Sequence, residues 1–215
     1  MFNDEFRLTQ AVLNGRKTMT RRIIEIDECV RFPIIRFRPL ENWEKKVVNP
    51  NYVFNGHVYA VYNELDLLCH LVKPRYEIGE VVAIAQSYKD SGYSPDSLDR
   101  HPKDLSIRGL MKNSAGWNNK MFVKSYACKH HIKITNVKVE RLQDISDEDC
   151  LKEGIIHAYT DNNGIKRYHT PHTKRGYLST DVAQQAFSFL IDKVSGKGTW
   201  ESNPFVFAYE FVLVD

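Results

Sequence analysis

Apolar residues recur along this chain at two different periods, and these divide it into strand-like and helix-like segments. The stretch "NPFVFAYEFVLV" alternates most strictly. Phe205, Phe207, Tyr209, Phe211 and Leu213 fall on one face of a strand, in a pattern that core packing explains better than base stacking. Before it, "TDVAQQAFSFLIDKVSG" has helical spacing, with Val182, Ala186, Phe189 and Leu190 along one side and Gly196 as its stop. "ISDEDCLKEGI" predicts a short helix with Ser146 as N-cap, Asp149 at the capping-box position and Gly154 as terminator. Near the start, Asn3 is placed to cap a helix with Asp4 and Glu5 in its first turn. Leu8 and Val12 lie at i and i+4 of that helix, and Gly15 ends it.

The remaining apolar segments read as strands. "TMTRRIIEI" alternates, and "YEIGEVVAIAQSY" predicts a turn followed by a largely buried strand. "HIKITNVKVERL" changes phase, since Ile132 and Ile134 share one parity while Val137 and Val139 share the other. A turn or bulge at Thr135–Asn136 accounts for the slip. Polar, Gly/Pro/Ser-rich stretches at about 36–73, 89–120 and 156–179 read as long loop insertions, and loops of that length are uncommon unless they carry function. Several strands, few helices, no internal repeat and no βαβ rhythm predict an α+β fold. The expected form is a small, partly closed mixed β-barrel flanked by helices, a single domain over 1–215.

Composition narrows the function classes. With 42% hydrophobic residues in 215, the chain can bury a real core. Thirty basic against 27 acidic residues leave a net charge of +3, too mild to mark a nucleic-acid binder without a local basic patch. The four cysteines are scattered and form no C-x-x-C, which argues against a disulfide framework or a zinc knuckle. The start "MFNDEFRLTQ" lacks the marks of a signal peptide, and no apolar run approaches the roughly 18 residues of a membrane span. A reducing cytoplasm and no membrane, metal or cofactor are the expectations.

One short stretch stands out. "NGRKTMTRR" packs Arg16, Lys17, Arg21 and Arg22 around Thr18 and Thr20, directly after a glycine at a helix end. Carbonyls of a helix C-terminus favour cations there. The plain alternatives are a solvated basic strand end for the arginines and β-propensity for the threonines, whereas Lys17 sits in a turn that no helix or strand needs. Other candidate motifs fail. "SGKGT" lacks the earlier glycine of a phosphate loop, because Ile191 stands there and a helix precedes it. His169 and His172 in "HTPHT" read as a solvated loop, and the Cys150/His157 pair is no better as a metal site.

"LNGRKTMTRRI", "PRYEIGEVVAI", "ITNVKVERLQDISDEDCLKEGI" and "GKGTWESNPFVFAYEF" occur in that order, and together they resemble the ASCH domain family of the PUA-like superfamily. The nearest likeness is to the longer members carried by phages and prophages, and it covers nearly the whole chain apart from the middle loops. The resemblance implies a PUA-like barrel and an RNA- or nucleoside-recognising cleft beside the glycine-lysine-threonine turn. Much shorter relatives with a similar turn hydrolyse the N4-acyl group of acetylated cytidine. Matched motif to motif, their lysine, threonine and glutamate fall on Lys17, Thr20 and Glu153. The chain departs from the family where a Trp-Val-Arg-Glu run is usual, carrying Ala83, Ile84, Ala85 and Gln86 instead. It also has Lys129 or His130 where an arginine is common.

Three roles follow as expectations. In the first, a cleft lined by Lys17, Thr18, Thr20, Gln86 and Glu153 binds RNA or a nucleoside. Arg16, Arg21, Arg22, Lys124 and Lys129 then supply the positive field and the phosphate contacts. In the second, Lys17 with a depressed pKa activates Thr20 and Glu153 shuttles a proton, giving a metal-independent amidohydrolase. In the third, the cleft is idle and the long loops bind a partner.

Overall fold

The computed structural model describes residues 2, 4–26, 34–41, 43–44, 56–92, 118, 120, 123–171 and 176–214. The fold is α+β. Its main sheet has four antiparallel strands in the order β1 (Met19–Ile23), β10 (Phe205–Leu213), β6 (His131–Arg141), β5 (Val81–Ala83), curled into a half-barrel. The phase slip is a bulge within one continuous strand. Glu210 and Phe211 pair with Asn136 and Ile134, so Thr135 is the extra residue on β6. That residue keeps Ile134 and Val137 both turned into the core despite their odd spacing.

The central strand β10 is buried on both faces. Val206 joins a cluster with Leu142, Ile145, Cys150 and the inner side of helix α4 (Ala183–Ser195). Phe207, Tyr209 and Phe211 join a second cluster inside the half-barrel, with Val12, Ile84, Ile132 and Ile134. Helix α4 faces the core through Ala183, Ala186, Phe187, Leu190 and Ile191. The expected stripe is therefore rotated, since Val182 and Phe189 are each 39% exposed.

Three sequence expectations need correcting. The stretch 36–73 is not one long loop, because most of β2 (Ile34–Pro39), β3 (Tyr59–Asn63) and β4 (Leu68–Val72) lies in it as an antiparallel meander. This second sheet packs against the inner cluster of the half-barrel. Tyr59, Val61 and Val72 enter the inner cluster, and the Tyr59 hydroxyl donates to the Val137 carbonyl at 3.1 Å. The stretch 156–179 likewise carries β7 (Ile156–Thr160), β8 (Lys166–His169) and the start of β9 (Ser179–Thr180), a third antiparallel sheet. The strand at 76–88 shrinks to β5, an edge strand whose Val81 is 55% exposed. Most of 89–120 lies outside the described residues, as do Asn3 and His172.

At the N-terminus, α1 (Leu8–Leu13) starts later than expected, after Arg7 in a left-handed conformation, and Asp4 and Glu5 belong to the preceding turn. Gly15, at φ 69°, follows its C-cap Asn14 as expected. The short helices α2 (Tyr88–Ser91) and α3 (Asp147–Lys152) are capped by Ser87 and Ser146. The "GKGTW" stretch becomes α5 (Thr199–Ser202), held by Asp192, which accepts from the amides of Gly198 and Trp200. No helix among the described residues is long and apolar enough to cross a membrane.

Candidate ligand cleft

The turn after α1 is hooked to its own helix, since the amides of Arg16 and Lys17 both donate to the Ala11 carbonyl. The next residue is tied on both sides. Thr18 donates its amide to Lys152 O of α3 and accepts from the Phe211 amide of β10. Lys17 is thereby wedged between two helix C-termini, at 2% exposure. Its ammonium donates to the Met19 carbonyl at 2.7 Å, the Glu153 carbonyl at 2.8 Å and Glu153 Oε2 at 2.5 Å. All three of its protons are thus committed.

Glu153 is the C-cap of α3, and Gly154 follows at φ 107° to turn the chain away. A carboxylate opposes the helix dipole there, and two cations compensate. Arg21 donates to Glu153 Oε1 at 3.1 Å while Lys17 holds the other oxygen. Arg21 also reaches Glu140 from Nε at 3.0 Å and Nη2 at 2.5 Å, and Asp149 at 3.1 Å. With Met19 Sδ at 3.1 Å from Nη1, every donor of its fork has an acceptor. Lys138 completes the set, bonding Asp149 at 2.8 Å and Glu140 at 3.0 Å. Three cations and three carboxylates alternate, so Lys17 and Arg21 of the Asn14–Arg22 stretch are balanced by acids from β6 and from α3 with its C-cap.

Burial pulls the Lys17 ammonium below its ordinary pKa. Arg22 and Arg21 add to the lowering, against Glu153, which opposes it. For Arg21 burial acts in the same sense, but Glu153, Glu140 and Asp149 outweigh it and raise the pKa. Asp149 is pushed up by burial and pulled down more strongly by Lys138 and Arg21, ending below the usual carboxyl value. Its amide bonds Ser146 Oγ as a capping residue should, but its carboxylate turns to Arg21 and Lys138. Cys150 is fully buried, and burial pushes its thiol up to about 12, which makes it inert.

On β1, Thr20 and Arg22 share the face of their partners Tyr209 and Phe207, and Arg21 takes the opposite face with Ala208. Because β1 is an edge strand, side chains of both faces meet along its free side, against α4. A cleft of about 40 Å³ lies there, walled by Lys17, Thr20, Arg22 and Glu153 on one side and Phe187 and Leu190 on the other. It has room for about one or two water molecules. Arg21, Arg22 and Ser195 also border a larger open groove of about 570 Å³, reaching to Lys73, Arg75, Phe207 and Tyr209. That size is within the usual range for small-ligand sites.

The chain matches no family model, no curated protein and no solved structure.

Of the residues singled out in the sequence, Lys17, Thr20, Arg21, Arg22 and Glu153 come together at this cleft. The others stand apart from it. Arg16 is exposed, and Thr18 is half-buried with both backbone groups in use. Gln86 is buried and its Oε1 accepts from the Lys129 amide at 2.5 Å, pinning that loop. Gln86 borders a different groove, with Arg7, Gln10 and Asp90. Lys124 and Lys129 are exposed on either side of a 3-10 turn at Ser125–Ala127. Sequence reasoning passed over Lys138, Glu140, Lys73 and Arg75. The first two were legible as the polar parity of β6 opposite Val137 and Val139, whereas the last two needed the fold.

Proposed function

We propose that the protein is an RNA- or modified-nucleoside-binding module of ASCH type, built on a PUA-like barrel, which recognises the edge of a base at the cleft beside Lys17. One observation carries this reading. A fixed, charge-balanced wall of Lys17 and Glu153 meets Thr20 and Arg22 at a small cleft that shares Arg21, Arg22 and Ser195 with a groove of ligand size. The cleft admits an exocyclic group, with the base itself in the groove. The Thr20 hydroxyl and Arg22 supply the directional contacts.

A second reading rests on the same residues. In it the protein is a metal-independent amidohydrolase that converts an N4-acylated cytidine and water to cytidine and the free acid. Its support is the lowered pKa of Lys17 beside a carboxylate oxygen at 2.5 Å that can take the proton. Against it, the Lys17 ammonium spends all three protons on Met19 and Glu153 and none on Thr20.

Two assays separate them: cytidine release from N4-acetylcytidine, and titration of a labelled single-stranded RNA at rising salt. Binding predicts no release, with log K falling linearly in log salt. Release that vanishes in Lys17→Met assigns the hydrolase instead, and a blank in both assays removes both readings.

A further inference from the structure

We propose that the groove bordered by Arg22, Lys73 and Arg75 is a phosphate site, so that the ligand of the adjoining cleft is a phosphorylated nucleoside rather than a free one. This rests on the nucleoside reading above and adds a ligand class to it.

Arg22 is the hinge of the argument. It borders both the small cleft and the large groove, half-buried, on the same face of β1 as Thr20. Its neighbour Arg21 is saturated by three carboxylates, yet Arg22 has no ion-pair partner among the described residues. A half-buried guanidinium without a counter-charge is costly, and an anion arriving from solvent relieves that cost.

The groove is otherwise poor in acids. Among the described residues Glu25 is the one carboxylate of its lining, and Glu77 binds Lys73 at 3.2 Å from outside it, so a positive excess remains among them. Arg75 has no carboxylate partner among the described residues either, and its guanidinium lies 5.6 Å from the Tyr76 ring. Its backbone is fixed by the core, because the Arg75 amide donates to the hydroxyl of fully buried Tyr209 at 2.9 Å, while the residue itself is exposed. Two arginines, one on an edge strand and one on a pinned loop, thus border a space of about 570 Å³ whose lining also includes Ile23, Ile24 and Val72. Planar forks are suited to bidentate phosphate contacts, and the exposed apolar Ile23 of the lining suits the sugar and base.

Calorimetric titration at low salt with three probes, cytidine, cytidine 5′-phosphate and inorganic pyrophosphate, tests this on the full chain. The 5′-phosphate is expected to bind about tenfold more tightly than cytidine, one charge-assisted contact's worth. Arg75→Gln should remove most of that advantage and lower the salt slope by about 1 while leaving cytidine unchanged, and Arg75→Lys should restore part of it. Equal affinity for cytidine and its 5′-phosphate overturns the proposal and leaves the nucleoside reading standing, and so does an equal loss of both ligands in Arg75→Gln. Pyrophosphate binding that Arg75→Gln abolishes, with no cytidine binding, upholds the phosphate site and removes the nucleoside reading. Silence from all three probes overturns the proposal. Unchanged thermal melts of the variants separate lost contacts from lost fold.

Discussion

The ammonium of Lys17 and the carboxylate of Glu153, 136 positions apart in the chain, meet at 2.5 Å with both residues buried, and the same ammonium also bonds the Glu153 carbonyl. One lysine thereby ties the end of α3 to the turn after α1. Removing either charge leaves the other buried and short of a partner, at about 3 kcal/mol each. A double-mutant cycle with Lys17→Met and Glu153→Gln in urea should show the double variant recovering at least about 1 kcal/mol of the summed losses. Additive losses would mean that the pair is not coupled.

Arg21 should not tolerate its nominal equivalent. It engages Glu140, Asp149 and Glu153 through one planar fork, and a lysine has too few donors at too few directions to span them. Arg21→Lys is expected to cost about 3 kcal/mol, lowering the melting temperature by roughly 6–12 °C. A melt within about 2 °C of the parent would show that the network contributes little beyond net charge.

Acid should act through Asp149. Its carboxyl is held below the ordinary value of 3.8, so the unfolded chain takes up the proton first as pH falls. Its contribution is complete above that value and is lost as the pH drops through the lower folded one. Urea midpoints of Asp149→Asn should therefore fall less steeply between neutrality and pH 3 than those of the parent, from a lower start. Parallel curves would assign the acid limb to other carboxyls.

Gly154 sits at φ 107°, where an added Cβ would come 3.4 Å from Leu8 and 3.8 Å from Lys17. Those contacts are ordinary, so the cost of Gly154→Ala is backbone strain, about 1–2 kcal/mol. Calorimetry should find that loss with ligand affinity preserved. A larger loss would mean that the Lys17 wall had shifted.

Much of the local structure was written in the residues. Ser146 as a cap, Gly15 and Gly196 as stops and the extra residue at Thr135 all follow from nearest-neighbour chemistry, and the structure has each of them. The meander β2–β4 was missed for a physical reason. Tyr59 and Val61 are buried against the half-barrel and Ala60 on the other face with Leu40 and Val58, so no alternation marks them. The face of α4 was read one step off because Phe187 and Ile191 fit the cluster under β10, while Phe189 has the same spacing and stays outside.

The candidate site divides in the same way. Lys17 and Arg21 were legible as members of a dense cation cluster, Lys17 in a turn that no helix or strand needs, and Glu153 only through the family resemblance. Only the tertiary structure decided which charges cancel, since Lys138 and Glu140 come from β6, Asp149 and Glu153 from α3, and Arg21 from β1. It also decided what the sequence could not rank between two adjacent arginines. Strand alternation sends Arg21 to three carboxylates on the face toward Phe187 of α4 and Arg22 to the other face beside Thr20, so one is spent on the fold and the other keeps no ion-pair partner among the described residues.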